Sequence, residues 1–225
     1  MKKIFTLLAF LTILGANAQQ DTKSPDYTII EKNIKDKASP YYYSTLLNRF
    51  NQADTSMTLE ERRHLYYGYT FSTSQYDVAS LEAVSSNLRE VLQKADPTKA
   101  DMENVIDLSS KILEVSPFSI TVKEYRLYCL KELDRFDEAK KERAQTDMII
   151  DAILSSGDGT TKQNSIHVIN TGNEYEMVSV MGFEPIDNEF GINDKYDYLT
   201  LNKNSYNLPG LYFEVASTRK LVTGI

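Results

Sequence analysis

From Ser24 to about Ser155, apolar residues recur every three or four positions, the spacing that places them on one face of an α-helix. Prolines and short polar runs interrupt this pattern, so it predicts a series of antiparallel helices. Thr58, with Glu61 three residues later, fits a capping box at the start of the third helix. The predicted helices centre on residues 27–34, 40–50, 59–69, 77–95, 102–113 and the two halves of 119–157, which join around 133–135.

After Gly157 the chain changes to short segments rich in β-branched and aromatic residues, separated by turn-forming residues. The segments are 165–169, 174–183, 196–204 and 210–217. They predict four antiparallel strands. The predicted fold class is therefore α+β, with an N-terminal antiparallel helical region followed by a small C-terminal antiparallel β-sheet. The predicted domains are a helical domain at residues 19–156 and a small β domain at residues 157–225 that packs on the helices.

The first 18 residues have the features of a secretory signal peptide. Lys2 and Lys3 precede an apolar run from Ile4 to Leu14, and Ala16 and Ala18 form an A-x-A cleavage site. The run is too short to span a bilayer, and no cysteine follows it for lipid attachment. We therefore expect a soluble exported protein, periplasmic or secreted.

The charge of the chain argues against nucleic acid and membrane surfaces as partners. Its formal net charge is −7, and loss of Lys2 and Lys3 with the signal peptide leaves 23 basic against 32 acidic side chains. A surface of that sign repels phosphate backbones and anionic lipid. Membrane insertion is not expected either, because no later segment approaches the length of a spanning helix.

Several common chemistries lack their sequence signals. Cys129 is the single cysteine, so no internal disulfide can form, and its place in a helical pattern predicts a buried small apolar residue. No G-x-S-x-G nucleophile elbow is present. The glycine-containing turn Ser155–Thr161 follows a predicted helix, whereas a phosphate-binding loop follows a strand. We predict no cofactor.

The stretch ERRHLYYGYTF, residues 61–71, has two interpretations. Glu60 lies one helical turn before His64, an arrangement that suits a base with its orienting carboxylate. Alternatively, the histidine bonds to a neighbouring helix and the tyrosines pack between helices. Fifteen tyrosines without a tryptophan also suit a binding surface, because a tyrosine combines an apolar ring with a hydroxyl. The candidate binding residues are Tyr42, His64, Tyr66, Tyr67 and Tyr69.

Acidic loops offer weak calcium candidates at Asp158, Asp187 and Asp194. Oxygen ligands at that density could bind calcium, but their spacing does not fit an EF-hand loop. A helix cap explains the first and a solvated acidic loop explains the other two. We predict no metal site.

Two resemblances follow from particular motifs. The stretch YCLKELDRFDEA, residues 128–139, resembles part of one tetratricopeptide repeat (TPR), with an aromatic at Phe136 and the small Ala139 where two helices approach. More extensively, the chain resembles the DUF4919 family of Bacteroidetes, most specifically in LEERRHLYYGY and SSGDGT. That resemblance implies an exported protein with no assigned activity.

Together these observations favour a non-enzymatic protein- or peptide-interaction module, with an unknown protein or glycan partner. The alternative is a hydrolase of envelope or dietary polymers that uses a carboxylate pair. A third interpretation is a calcium-stabilised structural module. A pocket with two facing carboxylates would indicate the hydrolase, and an exposed tyrosine patch would indicate the binding module.

Overall fold

The computed structural model describes residues 22–72, 78–186 and 195–216, so the predicted signal peptide lies outside the described residues. Within these ranges the chain forms eight α-helices, one 3-10 turn and three strands. The helices are α1 (Tyr27–Lys35), α2 (Tyr43–Asn51), α3 (Leu59–Gly68), α4 (Val78–Leu92), α5 (Lys99–Val115), α6 (Ile120–Glu132), α7 (Phe136–Leu154) and α8 (Thr171–Val180), with the 3-10 turn at Tyr69–Phe71. The strands are β1 (Ile166–Val168), β2 (Asp197–Thr200) and β3 (Gly210–Val215).

The seven predicted helices are present, and their ends follow local signals. Thr58 and Glu61 form the expected capping box, with Thr58 N–H donating to Glu61 Oε2 at 2.7 Å. The second helix begins at Tyr43 rather than at Pro40. Ser39 explains the difference, because its backbone oxygen accepts a turn hydrogen bond from Tyr42 N–H at 3.1 Å.

The prediction of a second strand at residues 174–183 is wrong, because most of this segment belongs to α8. Asn170 caps this helix, its side-chain oxygen accepting from Asn173 N–H at 3.1 Å. The buried residues of α8 are Asn173, Glu174, Met177 and Val178, which recur with helical spacing. The cap and this buried face outweigh the strand preference of the β-branched residues.

The sheet is mixed, not antiparallel as predicted. Its strand order is β1-β3-β2, with β1 parallel and β2 antiparallel to the central β3. The cause is α8: because the chain leaves β1 through a helix instead of a hairpin, a later strand can return in the same direction as β1. The fold is thus α+β, mostly helical with a small C-terminal sheet.

Buried apolar side chains form two clusters. The first joins α1, α2, α3, the C-terminal half of α7, α8 and the sheet. The second joins α4, α5, α6 and the start of α7. The first cluster therefore contains residues from both sides of position 156, where the sequence predicted a domain boundary.

A buried ion pair lies between α6 and α7. Lys123 Nζ donates to Glu142 Oε1 at 2.8 Å and to Gln145 Oε1 at 2.9 Å, and it lies 5.3 Å from the ring centroid of Phe50 on α2. Arg126 Nε is 2.8 Å from the other Glu142 oxygen. These contacts connect the two clusters. No helix in the three described ranges has the length and apolar character needed to cross a membrane.

Two tyrosines of α3 attach the helical part to the sheet. Tyr66 and Tyr67 are 1% and 0% exposed. Tyr66 Oη donates to Asn173 Oδ1 at 2.8 Å and accepts from Ile169 N–H at 3.2 Å. Tyr67 Oη lies 3.2 Å from the backbone oxygen of His167 in β1. Both hydroxyls are thus satisfied by segments about one hundred residues later in the chain.

The substitution Tyr66→Phe should lower the free energy of unfolding by about 1–3 kcal/mol, because the partly buried Ile169 N–H loses its acceptor and the buried Asn173 Oδ1 loses a donor. Tyr42→Phe is the matched control: its ring is half-buried at the N-cap of α2, and the change should stay within about 0.5 kcal/mol. Urea unfolding of the native protein and of the two variants measures both changes in the free energy of unfolding. Equal losses in the two variants would contradict the assigned role of the Tyr66 hydroxyl.

Candidate functional site

The histidine of α3 is held between helices. His64 Nδ1 lies 2.8 Å from the backbone oxygen of Glu60, and Nε2 lies 3.1 Å from Asn33 Nδ2 on α1. A carbonyl oxygen can only accept, so Nδ1 carries the proton, and Nε2 accepts from the amide. The Tyr41 ring stacks on the imidazole at 4.0 Å. Burial lowers the pKa of His64 despite the opposing effect of Glu60, so the ring is neutral at pH 7.

The other candidate binding residues on and near α3 also make packing contacts. The Tyr69 hydroxyl donates to the backbone oxygen of Val115, and its ring lies 5.4 Å from that of Phe118. Tyr42 is half-buried, and Tyr66 and Tyr67 are fully buried as described above. Helix α3 therefore presents no exposed tyrosine surface at Tyr66 or Tyr67.

The calcium candidates do not form a cluster among the described residues. Asp158 is exposed, and its Oδ1 accepts from Thr160 N–H at 2.8 Å and from Thr160 Oγ1 at 2.7 Å, which closes a local turn. Asp187 and Asp194 lie outside the described residues. In the ranges that the structure describes, no three His, Cys, Asp or Glu side chains are grouped to hold a metal ion.

Cys129 is buried in the second cluster, as predicted. Burial raises the pKa of its thiol to about 11, so the thiolate needed for nucleophilic attack is scarce at neutral pH.

A different group of residues comes together on the side of the sheet opposite to Leu199, Leu211 and Phe213; this side is covered at β1 and partly exposed at β2 and β3. Strand alternation sends Leu199, Leu211 and Phe213 into the first cluster and their neighbours to the opposite side. We call that side, with the two lysines beside it, the outer sheet face. It consists of Lys162, His167, Lys195, Tyr196, Tyr198, Tyr212 and Glu214.

Two tyrosines lie side by side at the centre of the outer sheet face. Tyr198 and Tyr212 are opposite each other in the β2–β3 register, with ring centroids 4.6 Å apart. Gly210 makes room for this pair, because a Cβ at that position would lie 2.3 Å from Cζ of Tyr198. The Tyr198 ring therefore lies across the strand over the glycine, and both rings remain partly exposed.

A line of titratable side chains runs from the interior to the surface at one end of this face. His167 is paired with Glu214 in the parallel register, and its Nε2 lies 3.8 Å from Glu214 Oε2. Glu214 Oε1 in turn accepts from Lys195 Nζ at 2.9 Å. Exposure rises along the line, from 6% for the His167 side chain through 14% for Glu214 to 64% for Lys195.

The protonation states along this line follow from burial and contacts. Burial lowers the pKa of His167 even though Glu214 opposes the shift, with Lys195 and Arg63 adding to it. The hydrogen bond to Glu214 raises the pKa of Lys195, which stays cationic. Neither His167 Nδ1 nor Tyr27 Oη has a hydrogen-bond partner among the described residues, and both atoms are buried. His167 is thus a neutral, enclosed ring rather than a base open to substrate.

The lysines converge on the ring of Tyr196. Lys162 Nζ lies 5.9 Å and Lys195 Nζ lies 5.4 Å from its centroid, distances typical of cation–π contacts. The outer sheet face therefore combines a tyrosine pair with two ammonium groups beside a third tyrosine.

The model of the family described as a domain of unknown function (DUF4919) matches residues 28–223, which is most of the chain. The chain belongs to this family. The resemblance found in the sequence is thereby confirmed at the level of the family. Comparison with curated proteins and with solved structures finds no match. Within this DUF4919 protein, the candidate site therefore rests on the geometry alone.

Sequence reasoning did not select the outer sheet face. The sequence contains part of the pattern that would identify this face. In three predicted strands, polar or aromatic residues alternate with buried ones; these residues are His167, Tyr198, Tyr212 and Glu214. What the sequence could not show is that β1 and β3 are parallel neighbours, which brings His167 beside Glu214.

The lowered pKa values of His64 and His167 predict that acid destabilises the protein. Below the unfolded-state pKa near 6.5 the unfolded chain binds more protons than the folded chain, so the free energy of unfolding falls as pH drops from about 7.5 to 5.5. The loss is at most about 1.4 kcal/mol per pH unit for each histidine.

The variant His64→Gln should show a smaller slope over the same range, because it removes one of these groups and leaves the carboxyls unchanged. Chemical unfolding at several pH values measures the slope. A variant slope equal to that of the native protein would show that His64 titrates normally in the folded state.

Proposed function

We propose that this protein is an exported, non-enzymatic module that binds a protein or peptide partner through the outer sheet face. The observation that carries the proposal is the partly exposed Tyr198–Tyr212 pair, fixed in the β2–β3 register and laid over Gly210. Tyrosines held in one orientation offer large contact areas at low entropic cost.

The environment of the pair supports binding more than hydrolysis. A carboxylate hydrolase needs two carboxyl groups on opposite sides of the scissile bond. On this face Glu214 is engaged by Lys195 and is largely covered, so it is poorly placed to act on a bound substrate. The neighbouring His167 is enclosed as well.

We also propose that the helical hairpin α6–α7 is TPR-like. Its helices join through residues 133–135, and Ala139 is buried in the second cluster, near the start of α7. Hairpins of this kind commonly build protein-interaction scaffolds. Export to the periplasm or beyond is supported by the charged and apolar pattern of the first 18 residues.

Selection from a random twelve-residue peptide display library on the immobilised protein tests the proposal. Peptides enriched on the native protein should bind the variant Tyr198→Thr/Tyr212→Thr at least tenfold more weakly, because two tyrosine contacts are lost. Threonine keeps a high strand preference, so the sheet should remain folded. Affinities are measured by fluorescence anisotropy with synthetic peptides.

The matched control is Tyr128→Ala/Tyr206→Ala, which removes two tyrosines that are 47% and 61% exposed and lie outside the outer sheet face. Its affinity should equal that of the native protein. Thermal unfolding must show that both variants are folded. The proposal fails if no peptide is enriched over the bare support, or if the enriched peptides bind the threonine variant with native affinity.

A further inference from the structure

We infer that the preferred ligand is a proline-rich peptide segment in the polyproline II conformation. Its pyrrolidine rings pack on Tyr198 and Tyr212, and its carbonyl oxygens accept hydrogen bonds from the two tyrosine hydroxyls. This inference rests on the proposed function and specifies the class of partner that binds at the same site. It follows from which hydrogen-bonding groups of the sheet are engaged within the chain and which are not.

The edge of the sheet at β1 is closed to a further strand. His167 N–H donates to Ser156 Oγ at 2.9 Å, and the next outward amide, that of Ile169, donates to Tyr66 Oη at 3.2 Å. A peptide that pairs with a sheet edge needs such backbone groups to be available. Here the chain itself has already used them.

The opposite edge is covered at the C-terminal end of β2. Residues 184–186 run antiparallel to residues 200–202, and Ile186 N–H donates to Thr200 O at 2.8 Å. A ligand cannot pair with the backbone at these positions either. We therefore expect a ligand of the outer sheet face to be held by side chains and not by the main-chain hydrogen bonds of strand addition.

Two hydroxyl groups on this face are not used by the fold. Neither the Tyr198 nor the Tyr212 hydroxyl makes a hydrogen bond with a described residue, and both side chains are partly exposed. Burial and the neighbouring Tyr212 raise the pKa of Tyr198, so its hydroxyl keeps its proton at neutral pH and can donate. A ligand that offers carbonyl oxygens satisfies both donors.

Proline supplies carbonyl oxygens without adding donors. In other peptides each residue also carries an N–H, which costs binding energy if it loses water against an aromatic ring and finds no acceptor. Proline has no N–H, so a proline-rich segment can cover the tyrosine rings without burying an unsatisfied donor. The polyproline II backbone makes no internal hydrogen bonds, so its carbonyls are free to accept.

The shape of the tyrosine pair suits a compact apolar ring. The two ring centroids are 4.6 Å apart and the ring planes meet at 49°, so the pair presents a creased apolar surface. Gly210 fixes one side of it, because a Cβ there would lie 2.3 Å from Cζ of Tyr198. A polyproline II segment is ordered before it binds, as these rings are, so association costs little conformational entropy.

Two matched display libraries of random ten-residue peptides test the inference. One fixes P-x-x-P, which places two prolines on the same side of a polyproline II helix, and the other fixes A-x-x-A and contains no proline. Peptides enriched from the first library are synthesised with both prolines intact and with both replaced by alanine. The alanine peptides should bind about fivefold more weakly or worse, as measured by fluorescence anisotropy.

The variant Tyr198→Phe/Tyr212→Phe tests the hydroxyl contacts, because it keeps both rings and removes both donors. It should bind the proline peptides at least about fivefold more weakly, since each lost hydrogen bond is worth roughly a factor of two to ten. The control Tyr128→Phe/Tyr206→Phe removes two hydroxyls outside the outer sheet face and should keep native affinity. Thermal unfolding must show that both variants are folded.

The outcomes separate this inference from the proposed function. If peptides from the two libraries bind equally well and Tyr198→Thr/Tyr212→Thr weakens both, the proline-rich ligand is wrong and the binding face stands. Native affinity of the phenylalanine variant for the proline peptides would also overturn the inference, because the hydroxyls would then play no part. Enrichment from neither library would count against the proposed function itself.

Discussion

The structure depends on the hydrogen bonds that the buried polar side chains of α3 make with other parts of the chain. Six of the ten residues of this helix are buried, and they include an arginine, a histidine and two tyrosines. A buried polar atom without a partner costs about 1–3 kcal/mol, so each of these groups requires a specific neighbour. The Arg63 guanidinium donates hydrogen bonds to Lys23 O and to Ser155 Oγ, each at 2.6 Å. These bonds connect the beginning of the described chain to the end of α7.

The same constraint determines which part of the sheet remains available. The outward N–H groups of β1 and of the residue after it are taken by side chains, His167 N–H by Ser156 Oγ at 2.9 Å and Ile169 N–H by Tyr66 Oη at 3.2 Å. This edge therefore cannot accept another strand. One side of the sheet packs in the first cluster. The rings of Tyr198 and Tyr212 lie on the other side of the sheet, where they stay partly exposed.

The sequence predicts those features that depend on nearby residues. Helices α1 to α7 follow from apolar periodicity, and the capping box at Thr58 follows from residues three apart. Helix α8 was misread because valines and aromatic residues favour strands locally, while the Asn170 cap and burial against distant elements decide the result. The mixed sheet was then missed as a consequence. The candidate site depends on the pairing of β1 with β3, whose partners His167 and Glu214 are far apart in the sequence, so no local pattern could have revealed it.

The composition of the outer sheet face has a physical consequence for any ligand it binds. Free lysines and tyrosines on a surface lose side-chain entropy when a partner orders them, and that loss offsets part of the contact energy. Here the Tyr198 ring is confined by Gly210 and Tyr212, and Lys195 is held by Glu214. Much of the ordering has therefore occurred during folding. Under the proposed function, most of the remaining entropic cost of binding would therefore fall on the peptide.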